Sequence, residues 1–329
     1  MSLLSWNCRG LGNPRIVHNL CQMVKEKRPR FLFLMETKIR QKRMHLIRNK
    51  IGFDGMVAVD SIGLSGGLAL LWQEANEVSI QNYSLRHISV VITTIDSVRS
   101  WRLTGFYGHP DWASREESWQ LLSYLHTFQP HDWLCVGDFN EITDHSEKKG
   151  GARRNRRQME MFRSTLEACQ LLDLGFRGPK FTWTNGRGAR QFTKERLDRA
   201  VATKGWCDLF RDQEVSVLAA QTSDHNPLLV RFSKREAMWV PKRPFKFEEK
   251  WNLDDESGAL IRSAWADGGP GISSVQRVQH KLQQCQSVLK QWSSSKYGHV
   301  GRVLKQKTSR LTLLQKDDHP ADWAEIKTL

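Results

Sequence analysis

Short apolar runs separated by turn residues dominate the first 233 positions of the chain. SLLSWN, RFLFLME, GLALLW, SVVITTI, WRLTGFY, WLCVGDF, RLDRAVA, VSVLAA and PLLVRF each have the length of a strand, and several are rich in β-branched residues. Between some of them the period lengthens to that of a helix. VHNLCQMVKEKR, SREESWQLLSYLHTF and QMEMFRSTLEACQLL are the helical segments, and the last places Met159, Phe162, Leu166 and Cys169 on one face. Strands outnumber helices, and the two do not alternate strictly. That order predicts a mixed-sheet α/β sandwich and not a doubly wound parallel fold.

The pattern breaks at KREAMWVPKRPFK (residues 234–246), where two prolines and a cluster of basic residues interrupt the strands. We place a domain boundary there, with one domain over residues 1–233 and a helical extension over 234–329. In the extension Val275, Val278, Leu282, Cys285, Leu289 and Trp292 follow 3-4 spacing. SSSKYG interrupts the run, and Val300, Val303, Leu304, Leu311 and Leu314 resume it, which predicts an antiparallel helical hairpin.

Composition adds a partner class. The net charge is +15, shared as +9 over residues 1–233 and +6 beyond, and such an excess favours a polyanion such as nucleic acid or an acidic membrane surface. No run approaches the 18 or so apolar residues of a membrane span. The start, MSLLSWNCRG, does not read as a secretory signal. Six cysteines without a CxxC pair argue against a zinc site or a disulfide framework and fit a reducing compartment.

The chemistry gathers where strands end. WLCVGDFN stops on Asp138 and Asn140, which an extended chain would place on the same side. LLSWN ends on Asn7, FLFLME on Glu36 and RLTGFY on Tyr107. Asp198 sits inside RLDRAVA, and Asp224 and His225 precede PLLVRF. Any one of these residues is an ordinary turn or surface residue. As a set they describe oxygen ligands for Mg²⁺ or Mn²⁺, an oriented imidazole and donors for phosphate oxygens. Metal-assisted hydrolysis of a phosphate ester uses those parts.

SWNCRG, METK, SGGLALLW, FYG, VGDFNEI, FTWTN, RLDR and SDHNPLLV stand in an order that resembles the endonuclease/exonuclease/phosphatase superfamily. The resemblance is greatest to the apurinic-like endonuclease domain of plant LINE-type (non-LTR) retrotransposons, and it covers residues 1 to about 233. RPFKFEEKW, SAW, LKQW and YG resemble the connector that leads to the reverse transcriptase in such elements, a polymerase that is expected in the parental polyprotein and absent from this chain. The implied fold is a four-layer α/β sandwich of two mixed β-sheets flanked by helices, with a C-terminal helical extension.

The resemblance also implies roles. Glu36 would be the principal metal ligand, with Asn7 beside it at the metal and the phosphate, and Asp224 on the metal side or supporting His225. Tyr107 would hydrogen-bond the scissile phosphate. Asp138 would handle the attacking water with Asn140, and Asp198 would hold His225; whether Asp138 or His225 takes the proton stays open. Thr182 would line the DNA groove. Repair-type relatives carry an acid where this chain has Arg9, which points towards the retrotransposon branch and towards one metal ion. Arg9 then joins Lys148, Lys149, Arg153, Arg154, Arg156 and Arg157 as candidate DNA contacts.

The implied activity is Mg²⁺-dependent nicking of one strand of duplex DNA, with Mn²⁺ as a substitute ion and no membrane partner. A nuclear location follows from that substrate, with the cytoplasm as the alternative. Two other readings share the letters: a phosphatase acting on inositol phosphate or lipid head groups, and a catalytically inactive nucleic-acid-binding remnant.

Overall fold

The computed structural model describes residues 1–63, 65–73, 78–93, 100–185, 192–219, 222–232, 245, 247–266, 274–317 and 325. It divides into two compact units, one of Met1–Glu236 with Thr312–Thr328 and the other of Ala237–Leu311 with Leu329. Most of the 234–246 segment lies outside the described residues.

In chain order the first unit contains β1 (Ser2–Asn7), α1 (Pro14–Lys27), β2 (Phe31–Met35), α2 (Gln41–Ile51), β3 (Gly55–Ile62), β4 (Ser65–Trp72), β5 (Val78–Ser84), β6 (His87–Thr93) and β7 (Ser100–Tyr107). There follow α3 (Arg115–His126), β8 (Trp133–Asp138), β9 (Lys148–Lys149), α4 (Arg156–Ala168), β10 (Leu172–Asp173), β11 (Trp183–Thr184) and β12 (Lys194–Glu195). β13 (Asp198–Ala202), α5 (Lys204–Leu209), β14 (Glu214–Val217) and β15 (Leu228–Arg231) close the unit.

The strands form two six-stranded sheets, ordered β14-β15-β1-β2-β4-β3 and β10-β13-β8-β7-β6-β5, and a small third one, β11-β12-β9. Each large sheet is mixed. β1 and β2 run parallel in the first, β7 and β8 in the second, and their other neighbours are antiparallel.

Alternation along each strand builds the layers. Leu3, Phe31, Phe33 and Leu70 from one sheet meet Val90, Leu103, Leu134, Val136 and Ala200 from the other in a single inter-sheet core. The opposite faces carry Leu4, Trp6, Leu32 and Leu34 against Ile16, Leu20, Met44 and Ile47 of α1 and α2. On the other side Trp133 and Cys135 meet Trp119, Leu122, Phe162 and Leu166 of α3 and α4. The result is helix, sheet, sheet, helix. The second large sheet is held to close tolerance: at Gly137 (φ 149°), a Cβ would stand 1.9 Å from the carbonyl oxygen of Phe106 on the neighbouring strand.

All nine apolar runs contain strands. Besides the two-residue strands β9 to β12, the pattern missed β3 and β5, which are edge strands of the two large sheets and are only partly buried. With one edge and much of one face in water, they lack the dense apolar signal of the central strands.

In the second unit, α6 (Asp255–Ala266) packs Leu260 and Ile261 with Trp251, Leu289 and Trp292. The expected helical hairpin over 275–314 is overturned: Ser274–Asp317 is one continuous helix, α7. SSSKYG lacks proline, and a helix tolerates its single glycine at a cost of about 1 kcal/mol. The apolar stripe also divides, because Cys285, Leu289 and Trp292 are buried while Val275, Val278 and Leu282 are exposed.

Candidate active site

The face of each strand that feeds the inter-sheet core ends in a polar residue at one rim of the sandwich. Asn7 continues the Leu3–Ser5 side of β1, Asp138 the Leu134–Val136 side of β8, and Asp198 opens β13 on the side of Ala200 and Ala202. Strand register aligns them. Asp138 lies opposite Tyr107 on one neighbour and opposite Asp198 on the other, so the three form a row across one sheet. In the other sheet Asn7 is level with Met35 on the adjacent strand, and Glu36 follows directly.

Asn7 ties the two sheets together. Its Nδ2 donates to Asp138 Oδ2 at 3.0 Å and to Glu36 Oε1 at 3.1 Å, and stands 3.5 Å from His225 Nε2. The Tyr107 hydroxyl donates to Glu36 Oε1 at 3.1 Å, and Lys38 Nζ lies 3.0 Å from Glu36 Oε2. His225 Nδ1 is 2.8 Å from Asp198 Oδ2, and its Nε2 faces Asp138 Oδ2 at 3.8 Å. Asn7, Asp138, Asp198 and His225 are all buried.

Local backbone strain points the remaining groups. Arg9, Glu36 and Asn140 follow the ends of β1, β2 and β8 with φ of 52°, 48° and 54°, left-handed values that non-glycine residues seldom adopt. The chain is therefore not extended through Asn140, as the period-two reading had it. Its backbone N–H caps Asp138 Oδ1 at 2.9 Å, and its side-chain amide donates to the carbonyl of Gly108.

Burial, followed by the charge of Asp198, pushes the Asp138 carboxyl up into the range of weak bases. Burial works against the His225 imidazolium, but Asp198 and then Asp138 outweigh it and raise that group too. The two groups face one another across 3.8 Å. Burial also opposes ionisation of Glu36, yet the hydrogen bonds from Lys38 and Asn7 hold its carboxyl below the usual range. The Tyr107 phenol is pushed up by burial and then by Glu36 and Asp138, so it stays a donor.

Two sets of residues could take a cation. Ligand atoms of Asp138, Asp198 and His225 lie within 4.8 Å of one another. However, His225 Nδ1 is already engaged by Asp198, and Asp138 Oδ2 already accepts from Asn7 Nδ2. The second set, Glu36 and Asn7, offers oxygen ligands only, although Glu36 Oε1 already accepts from Asn7 and Tyr107 and Oε2 faces Lys38. Asn7 Oδ1 is buried without a hydrogen-bond partner, on a side chain that touches Glu36, so a hard cation would satisfy an acceptor that the protein leaves bare.

Several expected roles change. Thr182 is buried and does not line a groove: its Oγ1 accepts from the backbone N–H groups of Leu197 and Asp198, at 3.0 and 2.9 Å, and so fixes the start of β13. Lys148 and Arg154 are both drawn to the buried Glu195, which pairs with Lys148 across β9 and β12. Arg156 pairs with Glu160 one turn along α4. Lys149, Arg153 and Arg157 are exposed. Asp224 receives Arg9 and, at 3.0 Å, the indole N–H of Trp183.

Other supporting groups escaped the sequence reading. Trp6 Nε1 donates to the His225 carbonyl, and Ser223 Oγ bridges His225 N and the Asn7 carbonyl. Met35 Sδ accepts from the backbone N–H of Asp138. Each stands in a quoted stretch, Trp6 in SWNCRG, Met35 in METK and Ser223 in SDHNPLLV, as does Lys38, two residues after Glu36.

A sandwich of this topology with this rim defines a class, and the sequence agrees: the model of the Endonuclease/Exonuclease/phosphatase family matches residues 4–225, and the chain belongs to that family. Among solved structures it is similar to the endonuclease domain of TRAS1, a telomere-specific non-LTR retrotransposon, with 17% identity and a TM-score of 0.52 over 71% of this chain and 99% of that one. It is similar to an AP endonuclease from Archaeoglobus fulgidus, with 18% identity and a TM-score of 0.56 over 71% of this chain and 100% of that one. The 3'-5' exonuclease NExo from Neisseria meningitidis shares 17% identity and a TM-score of 0.54, over 71% and 100%. At these identities the likeness is one of fold. No curated protein sequence is significantly similar to the chain. Among the described residues no helix is long and apolar enough to cross a membrane.

Proposed function

We propose that the chain is a Mg²⁺-dependent endonuclease, for which Mn²⁺ can substitute, that nicks one strand of duplex DNA by water attack on phosphorus. The observation that carries this reading is the Asp198–His225–Asp138 line: His225 Nδ1 is held by Asp198 at 2.8 Å, which turns Nε2 towards Asp138. Asp198 fixes the tautomer and keeps the imidazole ready to carry a proton. Asp138, with a raised carboxyl pKa, is suited to accept the proton of the attacking water, and protonated Nε2 to donate to a phosphate oxygen. The Tyr107 hydroxyl and Asn7 Nδ2 are donors at the same rim for the non-bridging oxygens. Glu36 and Asn7 Oδ1 would hold the metal ion, which supplies Lewis-acid polarisation of the phosphate.

The excess of basic residues and the exposed Lys149, Arg153 and Arg157 support DNA as substrate. So does the likeness to structures of nucleases, and the TRAS1 domain supports an origin in a LINE-type element. In such an element the nick leaves a 3′-hydroxyl for priming, and a nuclear location would follow. The test is conversion of supercoiled plasmid to the nicked form with Mg²⁺, beside Asp138→Ala and His225→Ala. We expect nicking by the unmodified chain only. DNA binding without nicking would overturn the enzyme reading, and equal nicking by all three would overturn the site.

A further inference from the structure

Asp224, expected on the metal side or in support of His225, pairs with a cation of the protein's own. Arg9 Nη1 pairs with Asp224 Oδ2, and Trp183 Nε1 donates to the same oxygen at 3.0 Å. The other side of the guanidinium reaches the centre of the site, with Arg9 Nε 3.9 Å from Glu36 Oε2. Lys38 approaches that oxygen at 3.0 Å. Arg9 thus stands between the two carboxylates, Glu36 and Asp224, at the rim where Asn7 lies.

Two properties separate this arrangement from an ordinary surface ion pair. The left-handed backbone at Arg9, φ 52°, is a strained conformation that the fold holds two residues beyond Asn7. The side chain is also half exposed, at 49%, while its acidic partners are mostly covered, at 18% and 19%. Nη1 is anchored by Asp224 and Nε is turned towards Glu36, which leaves Nη2 in a side chain that is half exposed. A guanidinium has five N–H donors in a planar fork suited to phosphate oxygens and stays charged at any working pH.

We propose that Arg9, aimed by Asp224 and Trp183, is a built-in cation: it takes the place beside Glu36 that a second divalent ion would need, limits the site to one metal ion, and offers its outward edge to a phosphate of the substrate. The phosphate contact rests on the nuclease reading above, whereas the limit on metal number does not. The arrangement replaces an ion whose occupancy varies with concentration by a charge fixed in the chain. Two-metal phosphodiesterases hold their ions about 3.5–4 Å apart between shared carboxylates. Here Arg9 and Lys38 flank the carboxylate that would be shared.

Mn²⁺ titration followed by electron paramagnetic resonance, on the full chain without DNA, tests the first half. The unmodified protein should bind one Mn²⁺. Arg9→Gln and Arg9→Ala should bind a second ion, or the first about tenfold more tightly, while Arg9→Lys should behave as the parent. Two ions in the parent, or an unchanged number and affinity in Arg9→Gln with a native circular dichroism spectrum, would overturn it. DNA binding in Ca²⁺ over a range of salt tests the second half. Arg9→Gln should weaken binding and make the log–log salt slope shallower by about one, and an unchanged slope would overturn the contact. Failure of the parent chain to nick plasmid would sink the nuclease reading, yet the Mn²⁺ count would still decide the role of Arg9.

Discussion

Thr182 Oγ1 accepts the backbone N–H of Asp198 at 2.9 Å, so a residue 16 positions away holds the acid that holds His225. The same oxygen accepts the N–H of Leu197 at 3.0 Å. Both donors come at the start of β13, where the antiparallel ladder with β8 begins at Asp198. A threonine hydroxyl stands in for the strand partner that the chain lacks there.

Thr182→Val keeps the shape and removes the acceptor. Two buried N–H groups then lose their partner, which should destabilise the fold by about 1–3 kcal/mol. Urea unfolding should show a lower midpoint at unchanged m-value, and nicking should fall because Asp198 is less firmly placed. Unchanged stability would refute the bond's importance.

Asp198→Asn conserves volume but removes the charge behind His225 Nδ1. The imidazole then loses both its tautomer lock and the nearest charge favouring its protonated form. Nicking should drop by roughly 10²–10⁴-fold, mainly in kcat, with DNA affinity in Ca²⁺ little changed. A rate within threefold of the parent would remove Asp198 from the mechanism.

Acid stability should depend on Glu147. Its carboxylate meets Arg199 and Arg196, both at 2.8 Å, and these three side chains are buried. Burial opposes its charge, but Arg199 and then the hydrogen bonds bring the carboxyl down to about 2. A pKa depressed on folding adds stability above the unfolded value of about 4.5, and that stability is lost as pH falls from there towards 2. The full effect is about 3 kcal/mol. Glu147→Gln should lower stability at pH 7 and flatten its decline between pH 5 and 2. A parallel decline in both proteins would assign the acid limb elsewhere.

The exposed cations should act together on DNA. Replacing Lys149, Arg153 and Arg157 by alanine should make the salt slope of binding shallower by about two to three, with a native melting temperature. Lys148→Ala or Arg154→Ala should instead lower the melting temperature, because each leaves the buried Glu195 short of a partner. Reversal of these effects would return Lys148 and Arg154 to the DNA surface.

The central strands and the chemical letters at their ends are legible in the chain alone. The reason is local: alternation marks buried strands, and Asn7, Glu36, Tyr107, Asp138, Asp198 and His225 break it at recognisable places. Tertiary structure alone decided which of these meet. Asn7 and Asp138 are 131 residues apart in sequence and come together at 3.0 Å only because two sheets pack face to face. The row Tyr107–Asp138–Asp198 exists through strand register, which no single strand encodes. Long-range pairing likewise turned Thr182 inward, drew Lys148 and Arg154 to Glu195, and set Arg9 between Glu36 and Asp224. In α7 the helix ran through an interruption that composition alone had suggested. Periodicity reports which face of an element is buried, whereas the partner across the interface is chosen by packing.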